Sequence, residues 1–193
     1  AGSVGGKMTK DTWAALKQNS DISGVSSERI RDEFIKGITK AKSVLNYLKM
    51  VQKLGMFKQI FPGLSTLMYR LTTNDYILQI AYMLHTNDKD DVRKKLKSLS
   101  YTNQEVNDIW LLIHMTRVAE VIKDLPKFKQ LQKNSKLTTQ QVTAWANIHS
   151  KYILKLWKWE LSVSPQDAIA QGLKGKDISD YVKFKEEELF ISS

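Results

Sequence analysis

The chain has 193 residues and a mass of 22.2 kDa, enough for one domain or two small ones. Hydrophobic residues make up 42% of it, which argues against disorder, and the absence of Cys excludes a disulfide scaffold, a Cys-bound zinc site and a thiol nucleophile. Thirty Lys and Arg against twenty Asp and Glu leave a net charge of +10, which points to a polyanionic partner, nucleic acid before membrane.

No apolar run approaches the ~18 residues of a spanning helix, and no signal peptide is visible. A cytoplasmic, reducing setting is therefore expected. The opening Ala1-Gly2-Ser3-Val4-Gly5-Gly6-Lys7 lacks an initiator Met and reads like a cloning scar, with native sequence expected from about Met8.

Gly and Pro are scarce, and the chain reads as a series of helices. Residues 9–19 place Trp13 and Leu16 on one side of a short helix. Ser26 or Ser27 caps a second helix, with Glu28 in its first turn and Ile30, Phe34 and Ile38 in one stripe. A third runs from about Ser43 to Leu54, closed by Gly55. Met56 to Leu64 is an apolar turn ended by Pro62-Gly63. Asn74 is expected to cap a helix carrying Ile77, Ala81 and Leu84, and Asp88–Leu99 forms another. Thr102-Asn103-Gln104-Glu105 and Thr138-Thr139-Gln140-Gln141 are capping boxes. The second opens one helix through Val142, Trp145, His149, Tyr152, Ile153 and Leu156. Ser164-Pro165 starts a further helix closed by Gly172, and Asp177–Phe190 forms the last. No segment alternates with a period of two between hairpin turns, so the fold class is all-α, an array of about eight or nine short helices. Pro126 and the polar stretch 130–139 mark a subdomain boundary.

The charge is concentrated. Between Ile35 and Asn74 lie Lys36, Lys40, Lys42, Lys49, Lys53, Lys58 and Arg70 without one acid. Residues 123–158 hold eight Lys and only Asp124 as an acid, whereas 160–193 is net acidic. Lys151, Lys155 and Lys158 stand at i, i+4, i+7, on one helix face, with Trp157 and Trp159 beside them. Basic side chains next to aromatics suit phosphate contact plus stacking on an unpaired base. The alternative is a solvated lysine face whose tryptophans belong to the core.

Motifs for chemistry are lacking. His85, His114 and His149 stand at no metal-ligand spacing and read as helix residues. Asp88 and Asp90 have a D-x-D spacing, but they open a helix and no Gly-Ser cradle stands upstream; acid in a first helical turn is ordinary. There is no Walker A loop, no G-x-G-x-x-G and no G-x-S-x-G. The residues alone give a basic helical binding module with no catalytic and no metal site.

One stretch carries a family likeness. Val25-Ser26-Ser27-Glu28-Arg29-Ile30-Arg31-Asp32-Glu33-Phe34-Ile35-Lys36, preceded by Asp11-Thr12-Trp13, resembles motif E (V-S-x-E-R-I-x-x-E-[FL]-x-K) in the neck of the CCA-adding tRNA nucleotidyltransferase and bacterial poly(A) polymerase family, class II type. Leu54 to Leu64 is similar to that family's L-G-L-L-x-x-I-L-P-E-L turn, Leu78 to His85 and Leu96 to Ile109 to its body helices, and Gly172 to Ile178 to its tail element. The likeness covers residues 9–110, with a patch near 172–178.

The resemblance implies an all-helical neck (8–64), body (65–125) and tail (126–193, basic then acidic) that contact a tRNA. In the family an N-terminal head carries the G-S and D-x-D metal motif, and an E-D-x-x-R nucleotide template lies just before the segment that matches Asp11 onward. Neither is found here, so no cofactor is expected in this chain; Mg²⁺ and CTP or ATP would come only with the head. Ser27, Glu28, Arg29, Arg31 and Glu33 fall on motif E, whose helix braces the nucleotide-selecting helix; capping and intrahelical ion pairing would also account for them. Lys174 and Lys176 fall on the tail element and would meet RNA phosphates. Where the family continues with G-P-x-I-G, this chain has Ser179 to Phe184 and then Glu186-Glu187-Glu188. The reading is a C-terminal, tRNA- or structured-RNA-binding portion, inactive alone, with a catalytic head as a further partner and no membrane. The rival is a helical protein-interaction scaffold with a solubilising lysine surface.

Overall fold

The computed structural model describes residues 9–66 and 73–193, and every regular element among them is helical. The all-α expectation holds, with ten helices of seven residues or more among the described residues. The opening segment 1–7, Met8 and Arg70 lie outside the described residues. The chain divides into two compact units, 1–113 and 114–193.

The first unit holds α1 (Lys10–Gln18), α2 (Ser27–Lys40), α3 (Val44–Lys53), α4 (Met56–Ile60), α5 (Tyr76–Leu84), α6 (Lys89–Ser98) and most of α7 (Asn103–Met115). Short polar side chains start these helices by accepting otherwise orphaned N–H groups. Ser26 accepts from Arg29 N–H at 3.4 Å, Ser43 from Asn46 N–H at 3.3 Å, and Asp88 from the N–H groups of Asp90 and Asp91 at 2.8 and 3.2 Å. Thr102 and Glu105 form the expected reciprocal box, at 2.7 and 3.2 Å. Gly55 ends α3 in the left-handed region (φ 71°), where a Cβ would be strained.

Asn74 does not cap α5; Asp75 does, accepting from Leu78 N–H at 3.1 Å. The Asn74 amide instead donates to the carbonyls of Ile38, Thr39 and Ala41 at 2.9, 3.3 and 3.2 Å. It closes the C-terminal end of α2, a partner about 35 residues away that no local pattern reveals.

Phe34 and Ile38 of α2, Leu48 of α3 and Phe57 and Phe61 around α4 are buried together. The Phe34 ring meets Phe57 and Phe61 edge-on at 6.2 and 5.7 Å. Each such side chain contributes about 1.5–3 kcal/mol by leaving water. Every residue of α5 from Ile77 to Leu84 is buried, which marks it as the central helix of the unit.

The second unit holds α8 (Val118–Val121), a 3-10 turn (Ile122–Asp124), α9 (Leu125–Lys133), α10 (Thr139–His149), α11 (Tyr152–Lys158), α12 (Pro165–Ala170) and α13 (Lys176–Ser192). Pro126, expected at a break, sits in the first turn of α9, where its missing N–H costs nothing. The helix expected to run from Val142 to Leu156 is two helices, parted at Ser150, which is extended (φ −164°, ψ 136°). Fully buried Trp145, with Phe128, Val142, Ile153 and Leu156, fills the core. Val182, Glu186 and Phe190, at i, i+4, i+8, form the buried stripe of α13. No helix among the described residues is long and apolar enough to cross a membrane.

Candidate nucleic-acid interface

The acid-free run of the first unit carries an array of exposed ammonium groups. Lys36 and Lys40 on α2 and Lys49 and Lys53 on α3 stand at i, i+4, so each pair lies on one side of its helix. All four are exposed, as are Lys42 and Lys58. Lys36 faces Glu33 at 3.5 Å, an exposed pair of little energetic weight. Lys53 lies 6.0 Å above the Trp13 ring, which sets an indole of α1 beside the α3 lysines. Gln59 holds the intervening loop: its carbonyl accepts from Ile22 N–H and its amide donates to Ser20 O, both at 3.0 Å.

The motif-E-like residues divide. Ser27 lies in the first turn of α2, and Arg29 and Glu33 are exposed. Glu28 and Arg31 reach across to the turn between α6 and α7. Arg31 Nη1 donates to Ser100 O, its other nitrogens bind Asp32, and the Ser100 hydroxyl donates to Glu28 at 3.1 Å. Ser100 has φ 60°, a left-handed conformation that a non-glycine residue holds only when its surroundings insist. A hydrogen bond from the Glu28 backbone, and then one from Ser100, keep the Glu28 carboxyl below its ordinary pKa. The α2 helix thus braces a turn within its own unit.

In the second unit the lysines at i, i+4, i+7 part company. Lys151 and Lys158 are exposed. Lys155 turns onto α13: its ammonium donates to Phe190 O at 2.6 Å and sits 4.5 Å above the Phe190 ring. Lys174 and Lys176 are exposed at the start of α13, on either side of Gly175. Trp159 is tied down; its indole N–H donates to Glu186 at 2.8 Å and its ring meets Phe190 edge-on at 5.2 Å.

Trp157 and Lys158 border a cavity of about 860 Å³ together with Lys129 and Lys133 of α9. Leu137 and Leu161 supply apolar wall, and Glu160 is the one acid lining it. Sequence reasoning missed Lys129 and Lys133 as neighbours of Trp157, since only the packing of α9 against the end of α11 brings them there. Lys129 Nζ donates to Gln132 Oε1, Leu156 O and Trp157 O at 2.7, 3.0 and 2.9 Å, and so closes the C-terminal end of α11. Burial pushes this amine down to about 8, against the pull of Glu160. Glu186, fully buried on α13, also accepts from Ser162 and Val163 N–H at 2.6 and 2.7 Å. The acidic tail that departs from the family pattern thereby fixes the loop forming one wall of the cavity.

His85 caps α5, with Nδ1 2.8 Å from Tyr82 O, while His114 and His149 lie in α7 and α10. Among the described residues no three His, Asp or Glu side chains form a group that could hold a metal ion.

Residues 6–68 match the family model described as "Probable RNA and SrmB- binding site of polymerase A". The matched segment contains α1 to α4 and their exposed lysines. It supports an RNA-binding role in a polymerase-A-like protein. No curated protein and no solved structure matches the chain.

Proposed function

We propose that the chain is the RNA-holding portion of a CCA-adding-type tRNA nucleotidyltransferase, which grips tRNA but transfers no nucleotide without a catalytic head. The observation that carries the reading is the coincidence of the RNA-binding family match at 6–68 with the exposed lysines of α2, α3 and α4, which fall in a stretch of sequence, 35–74, without one acid. Such a surface binds phosphate by releasing counterions, so affinity falls steeply with salt. The motif-E-like residues would keep α2 in place through Ser100 rather than touch RNA themselves.

Filter binding of tRNA across a salt series tests this. Six neutralised phosphates give a log–log slope of about −4 to −5. No binding at low salt, or a flat salt response, would sink the proposal. Incubation with tRNA, CTP, ATP and Mg²⁺ should give no incorporation; incorporation would overturn the assignment of the chemistry to a head.

A second reading, a protein-docking scaffold, draws on two observations. The matched family's description names SrmB beside RNA, and α13 exposes Phe184 and Ile191 at i, i+7. Binding to a protein partner that survives high salt while RNA binding is absent would favour it.

A further inference from the structure

We propose that the cavity beside Trp157 seats one unpaired nucleotide of an RNA strand, its base against the indole and its phosphate against Lys133 and Lys158. The proposal rests on the RNA-binding reading and gives it a second site. A volume of about 860 Å³ falls within the usual range of small-ligand sites. Trp145 is buried in the core and Trp159 is held by Glu186 and Phe190. Trp157 is half-buried and lines the cavity. An indole at a cavity wall offers a face for base stacking, which accepts any base.

The charge agrees. Lys133 and Lys158 are exposed on the cavity rim, and among the described residues neither makes an ion pair. Lys129 lies behind Trp157, held by the Trp157 carbonyl, and Lys133 and Lys158 already outnumber Glu160. The walls are already in place: Lys129 and Gln132 both donate to Trp157 O, at 2.9 Å each, and Glu186 pins the loop after Trp159. A preformed site loses little ordering entropy when it binds. An acidic peptide would use the lysines but leave the indole face idle, so the combination favours a nucleotide.

The test uses the full chain labelled with ¹⁵N and follows the tryptophan indole N–H signals. It is titrated with AMP and with an oligoadenylate of about four nucleotides. Both should move the Trp157 signal, the oligonucleotide binding at least tenfold tighter, since a strand brings further phosphates. Lys133→Glu with Lys158→Glu should weaken oligonucleotide binding at least tenfold and flatten its log–log salt slope by about 1.4, two contacts on a single strand. Trp157→Phe should keep binding and Trp157→Ala lose it, with circular dichroism showing both folded. Lys49→Glu with Lys53→Glu should leave the Trp157 response intact while weakening tRNA binding. A Trp157 signal that stays still while tRNA binding persists overturns this site alone; loss of all RNA binding sinks the parent reading as well. AMP binding as tightly as the oligonucleotide overturns the strand assignment in favour of a free nucleotide, and equal displacement by tetraglutamate overturns the nucleotide.

Discussion

Gly37 shows how much one hydrogen can decide. A Cβ there would lie 2.0 Å from Cζ of Tyr47, so α2 and α3 can approach only because position 37 has no side chain. The covered Tyr47 hydroxyl is pushed up to about 12 by burial. Gly37→Ala should therefore destabilise the fold by about 1–3 kcal/mol through overpacking, despite the better helix propensity of Ala, as thermal unfolding will measure. Lys129 gives a second prediction. Its folded pKa, about 8, lies below the ordinary 10.5, so between these values the unfolded chain holds more protons. This group's contribution to stability rises with pH across that window, and below about pH 8 the folded state carries the cost of the buried charge. Side-chain ¹⁵N NMR should find Lys129 losing its proton well before the other lysines; a titration near 10.5 would contradict it. Neither residue was legible in the sequence. Gly37 reads as an unremarkable mid-helix glycine and Lys129 as one of eight lysines, because their roles depend on Tyr47 and on the carbonyls of 156 and 157, distant in the chain.

Helix starts were the most readable elements, since a cap and its N–H partner are three residues apart. Thr102, Thr138 and Ser164 cap where their spacing places them, Ser26 rather than Ser27 caps α2, and Ser43, read only as the approximate start of a helix, caps α3. Asn74 and Asp75 show the limit of that logic. Both are good N-caps by type, and the choice between them was made by the carbonyls of Ile38 and Ala41. Asn74→Ala should leave α5 capped but strip the end of α2, costing about 1–2 kcal/mol in chemical denaturation. Asp75→Ala should instead loosen the start of α5, which hydrogen exchange at Leu78 would show. The break at Ser150 was hidden because the apolar positions on either side keep a helical spacing across it.

At the scale of the molecule, the excess of positive charge was read directly from composition, and the matched segment overlaps its acid-free stretch between residues 35 and 68. What composition could not say is which lysines stay free. Lys155 and Lys129 are consumed by α13 and by the end of α11, whereas Lys49 and Lys53 stand in solvent. Reversing the last two, Lys49→Glu with Lys53→Glu, should reduce the tRNA salt slope by about 2, whereas Lys155→Glu should act mainly on stability. Titration of binding against salt for each variant separates the two effects.

The tie between Glu186 and residues 159–163 makes the far end of the polypeptide a keeper of a distant hollow. Shortening the chain at Gly175 would take away the carboxylate that orients Trp159, the ring that steadies it and the carbonyl that restrains Lys155, all at once. A protease that trims this tail would thus loosen the wall of that hollow while sparing every lysine between 36 and 58.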